Sequence, residues 1–112
     1  NDWRRGTTLL INRIAQQLGG NEYIKTVRDE SYKLLSQRIP VSLETRLTNK
    51  RRRMAEEGIC KSKRDKLTKL DIISDDPKVL ECYLAVVKDM AIKYGASLPV
   101  GFVASNVAAA QA

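Results

Sequence analysis

The feature that most constrains this chain lies near its C-terminal end, where Ser74-Asp75-Asp76-Pro77 opens a long apolar stretch. A capping residue, first-turn acids and a proline at an early helical position form a strong helix start. Val79, Tyr83, Val86, Val87, Met90 and Tyr94 then recur with the 3.6-residue period of one helix face, and Gly95 supplies the stop. Leu80, Leu84 and Ala91 carry apolar surface beyond that single stripe. A helix apolar over so much of its circumference has to be central, covered by the rest of a small core or by a second copy of the chain.

The preceding segments supply partners of the same kind. Leu10, Ile11, Ile14, Ala15 and Leu18 form a stripe on a first helix that Asp2 can cap and Gly19-Gly20 ends. A second helix, capped by Asn21 and running to about Gln37, carries Ile24, Val27, Ser31 and Leu35, with Tyr32 and Leu34 widening the face. After Pro40, Ser42 begins a third helix, with Leu43, Leu47 and Met54 on one side and Gly58 at its end. Arg51 interrupts that stripe. Ser62 is placed to cap a short fourth helix from Lys63 to about Lys69, followed by Leu70, Ile72 and Ile73 as an apolar clip. No alternating strand pattern and no internal repeat is present. The expectation is one all-α domain over residues 1–96, a compact bundle of about five helices. The Ala-rich residues 97–112 form a tail, poorly structured or briefly helical.

No run approaches the roughly 18 uncharged apolar residues of a membrane span, and the polar N-terminus lacks the apolar core of a secretory signal. With two cysteines, Cys60 and Cys82, and no histidine, a zinc site lacks ligands. The thiols are expected to be buried and reduced, and the compartment cytoplasmic. Because the chain opens on Asn1 and not Met, it reads as a fragment or processed product.

Catalysis needs positioned acids, bases or nucleophiles, and the sequence offers little. The commonest general base is absent, and Gly19-Gly20 has neither the spacing nor the lysine of a phosphate-cradling loop. Asp71, Asp75 and Asp76 form the one acidic cluster, a conceivable divalent-ion site, but the last two are accounted for by the helix start they precede. No enzyme, no metal and no cofactor is expected.

Charge is the informative quantity. Residues 46–69 hold ten basic side chains against three acids, an excess of seven that equals the net charge of the whole chain, +7. Phosphate contacts dominate nucleic-acid affinity, so Arg46, Lys50, Arg51, Arg52 and Arg53 are the first candidate DNA contacts. Lys61, Lys63, Arg64 and Lys66 form a second row, and Asn49 is a candidate reader of a base edge. The alternatives for this run are an acidic protein partner or a solvated face whose arginines pair with Glu44, Glu56 or Glu57. Two basic helices separated at Gly58 resemble a helix-turn-helix only loosely, because the turn is long and the second helix short. Trp3, Tyr23, Tyr32, Tyr83 and Tyr94 all lie outside the basic run, which leaves base stacking without support.

The stretch from Val27 to Gly95 resembles the C-terminal region of phage and prophage antirepressor-type regulators. The resemblance is carried by Arg46, Asn49 and Arg53, by Gly58, by the LDII segment at Leu70–Ile73 and by the AIKYG helix end, and extends over roughly residues 3–96. It implies a basic helical domain of a longer transcriptional regulator that contacts operator DNA, a phage repressor or its own copies. The leading expectation is a DNA-contacting domain, and the rival is an oligomerisation or repressor-binding module that makes no direct DNA contact.

Overall fold

The computed structural model describes residues 2–96. It contains six α-helices: α1 (Asp2–Leu18), α2 (Ile24–Arg38), α3 (Leu43–Glu56), α4 (Lys61–Asp65), α5 (Lys69–Asp75) and α6 (Pro77–Lys93). A single 3-10 turn, Asn21–Tyr23, leads into α2. No strand occurs among the described residues. The fold is the expected all-α bundle.

Helix α6 is the centre. It packs against α1, α2 and α5, and its residues Val79, Tyr83, Val86, Val87, Met90 and Ala91 are buried. Its main stripe is therefore covered by three helices of the same chain, and beyond that stripe Ala91 is buried, Leu80 and Leu84 are half-buried and Ile92 is 60% exposed. Leu10, Ile11, Ile14 and Ala15 from α1, with Val27 and Leu35 from α2, complete the main core. Each of these lies on a stripe that the 3.6-residue period predicts. Tyr83 is fully buried, and its hydroxyl donates to Ser31 Oγ at 2.9 Å, while Ser31 donates to the Arg28 carbonyl. Asp76 caps α6, accepting from the Lys78 amide at 3.0 Å, whereas Ser74 and Asp75, expected at this start as cap and first-turn acid, lie in the last turn of α5.

Helices α3 and α4 form an arm that joins this bundle chiefly through α5, with α3 packed on α5 and α4 on α3. Ser42 caps α3 by accepting from the Thr45 amide, and only Leu43 of that helix is buried.

Four further sequence expectations need correction. Asn21 does not cap α2; it lies in the 3-10 turn, where its side chain accepts from Gln16. The fourth helix spans Lys61–Asp65 and is preceded by Cys60, so Ser62 is inside it. The expected apolar clip is itself the helix α5, started at Thr68, whose amide donates to the Asp71 carboxylate at 2.8 Å in a capping box. That reciprocal bond satisfies amides that a helix start leaves without partners, which is why so short a segment is helical. The fourth concerns Cys60, which is exposed and not buried; Cys82 is half-buried, and both are free thiols. Asp2 is the first residue of α1, and the position that would cap it lies outside the described residues, as does the tail over residues 97–112.

Candidate nucleic-acid interface

The ten basic residues of the 46–69 segment divide into three groups once their partners are known. The first group is structural. Arg51 sits on the inner face of α3, where the apolar stripe breaks, and its guanidinium donates to the carbonyls of Arg64 (3.1 Å) and Leu67 (2.8 Å). These carbonyls lie at and just past the end of α4, where the Arg64 carbonyl also accepts from the Leu67 amide at 3.2 Å. Arg64 in turn donates to the Ile59 carbonyl at 3.1 Å, closing the turn between α3 and α4. Both arginines tie backbone together, which a planar, multi-donor guanidinium does well.

The second group pairs across the junction of α3 with α5 and the start of α6. Arg46 bonds Asp76 at 3.2 Å, Lys50 contacts Asp75, and Lys69 approaches Glu44 at 3.7 Å. Asp71 pairs with Arg4 of α1 at 2.7 Å. Burial alone would raise the Asp71 carboxyl, yet the Thr68 amide and Arg4 together hold it below its ordinary value. Arg46 does the same for Asp76. The acidic cluster thus consists of three carboxylates, each already answered by a cation. Among the described residues no group of three or more His, Cys, Asp or Glu side chains is arranged to hold a metal ion.

The third group is solvent-facing. Arg52 bonds only Asn49, at 2.9 Å along its own helix. Arg53, Lys61, Lys63 and Lys66 are exposed, and none has a side-chain hydrogen bond or ion pair with any described residue. The helix end between α3 and α4 is closed by Gly58 at φ 83°, a conformation costly for any residue with a Cβ. There the Ile59 amide reaches the Met54 carbonyl and the Gly58 amide the Ala55 carbonyl, a Schellman closure that sets where Lys61, Lys63 and Lys66 fall.

Two clefts run along this side of the arm. Arg46, Asn49, Lys50 and Arg53 line one of about 540 Å³ against Asp75, Asp76 and Pro77. Arg4, Lys50, Lys63 and Lys66 line another of about 280 Å³. Lys50 and Asp75 border both, so the clefts adjoin. The structure therefore brings Arg46, Asn49, Lys50, Arg53, Lys63 and Lys66 to a shared surface, and directs Arg51 and Arg64 inward. Arg4 joins the same surface, a member that the sequence could not flag because it lies far outside the basic run. No aromatic residue occurs between Tyr32 and Tyr83, so the arm presents charge without a stacking platform.

No family model, no curated protein and no solved structure matches this chain.

Proposed function

We propose that the chain is the basic helical domain of a phage-type antirepressor or transcriptional regulator, contacting DNA through the 46–69 segment. The observation that carries this reading is the set of exposed, unpaired cations on one arm: Arg53, Lys61, Lys63 and Lys66. The neighbouring Arg46, Lys50 and Lys69 are paired with nearby acids. Of the four that remain unpaired, Arg53 lines the larger cleft and Lys63 and Lys66 the smaller, and all four are disposed for phosphates supplied from outside. The lack of aromatics on the arm favours a duplex, read through its backbone, over splayed single-stranded bases. The Arg46–Asp76 and Lys50–Asp75 pairs face solvent and are weak, so Arg46 and Lys50 yield readily to phosphate. The regulatory role is supported by the resemblance to antirepressor-type regulators at Arg46, Asn49, Arg53, Gly58 and the LDII segment.

The test is fluorescence anisotropy of a labelled random-sequence duplex at low salt. Wild type binds, and Lys61, Lys63 and Lys66 changed together to Ala lose most of that binding while the far-ultraviolet circular dichroism is unchanged. Equal binding by both proteins contradicts the assignment of the arm.

A further inference from the structure

The smaller of the two clefts has a composition that a general basic face does not require. Its four cations come from three elements: Arg4 from α1, Lys50 from α3, and Lys63 and Lys66 from α4 and its end. Its two acids, Asp71 and Asp75, are already engaged. Asp71 accepts from Arg4 through Oδ1 and from the Thr68 amide through Oδ2, and Asp75 accepts from Lys50. Lys63 and Lys66 have no such partner, so the lining carries a surplus of two positive charges. Arg4 and Lys50 keep further N–H donors after their single bonds are made, and the Ser74 hydroxyl lines the same space.

We infer that this cleft seats a phosphate group: two lysines neutralise its charge, Arg4 and Lys50 add directed N–H donors, and Ser74 adds a hydroxyl. The surplus of two exceeds the single negative charge of a backbone phosphodiester and so favours its binding, and arginine beside lysine is the combination that grips phosphate by both shape and charge. Resting on the DNA reading above, the occupant is a backbone phosphate, and the cleft is the point at which the duplex is registered against α1 as well as the arm. Arg4 thereby becomes part of the interface although it lies 67 residues from its partner Asp71.

The test is a ¹⁵N–¹H NMR titration with inorganic phosphate against chloride at matched ionic strength, followed by duplex DNA, on wild type and a Lys63→Gln/Lys66→Gln variant. Both lysines are exposed, so the variant keeps the fold. The expected result is that phosphate shifts the amides around Arg4, Lys50, Lys63 and Ser74, and that the variant abolishes these shifts. The same variant flattens the salt dependence of DNA binding by about one unit, the loss of one phosphate contact. Localised phosphate shifts in a protein that fails to bind DNA would leave the cleft standing, make its occupant a small phosphorylated molecule, and remove the DNA reading. Phosphate shifts spread equally over Lys33 and Lys78, or DNA binding with an unaltered salt slope in the variant, would overturn the inference.

Discussion

At the residue scale, neighbouring cations of α3 do different things. Arg51 holds two carbonyls at the end of α4, and Arg53 meets only solvent. Hydrogen bonds from a charged donor are worth about 1.5–3 kcal/mol when removed from a protected site, and the half-buried position of Arg51 reduces that. Arg51→Met is expected to lower unfolding stability by about 1–2 kcal/mol in urea, whereas Arg53→Met stays within about 0.5 kcal/mol. Equal effects would refute the division. The sequence carried one trace of it, the interruption of the Leu43–Leu47–Met54 stripe at position 51. It could not show that the carbonyls of Arg64 and Leu67 lie opposite, because that depends on where α4 ends. The buried Ser31–Tyr83 bond makes a second residue-scale prediction. Ser31→Ala strands a fully buried hydroxyl and costs about 1–3 kcal/mol. Tyr83→Phe removes the stranded group itself and costs less, and thermal denaturation ranks the two. Burial pushes the Tyr83 hydroxyl up to about 12, so its contribution is intact below its ordinary value of 10 and fades as pH rises toward 12. Asp71 and Asp76 act on the other side. Their folded values lie below the ordinary 3.8, so the stability they confer is present above that pH and is lost as pH falls through the lower folded values. Acid titration of Asp71→Asn should show a correspondingly shallower loss of stability below about pH 4.

At the scale of elements, the long helices were legible because their stripes are regular and their ends are marked by Gly19-Gly20, Gly58, Pro77 and Gly95. The segment after Gly58 was not. Helix α4 has five residues and α5 seven, too few for periodicity to distinguish a helix from an apolar clip. The start of α5 rests on Thr68 and Asp71, three residues apart, a capping pair with Asp in place of the usual Glu or Gln. Gly58→Ala tests how far the arm depends on its hinge. A positive φ costs about 1–2 kcal/mol at a residue with a Cβ, and the expected loss of that size should be accompanied by faster amide exchange in α4 than in α6. Exchange rising uniformly across the molecule would mean that the hinge is not a local element. Cys60 sits at this same corner. Its thiol is exposed and its pKa is lowered, first by the Ser62 hydroxyl and then by the Lys63 amide. It should react with a disulfide reagent well before the half-buried Cys82, and DNA that covers the corner should slow it.

At the scale of the whole molecule, two surfaces of different character follow from one short sequence. The α1–α2–α6 bundle buries the apolar stripes, including most of the α6 face, and leaves Ile92 as the main exposed apolar side chain of that helix. Light scattering after size-exclusion chromatography should accordingly give the 12.6 kDa monomer, and a concentration-independent dimer would favour an oligomerisation role. The arm gathers the charge excess. The basic run told which segment carries that excess, but which of its members face outward depends on the acids at Asp71, Asp75 and Asp76, whose partners only the packing of α3 on α5 reveals. The most direct test is the salt dependence of binding to a random-sequence duplex. Log affinity should fall linearly with log salt, by about 0.9 for each phosphate neutralised, and Arg53, Lys61, Lys63 and Lys66 changed together to Ala should flatten that slope by about two to three units. Absence of wild-type binding at low salt, or a slope that the fourfold variant leaves unchanged, would contradict the account.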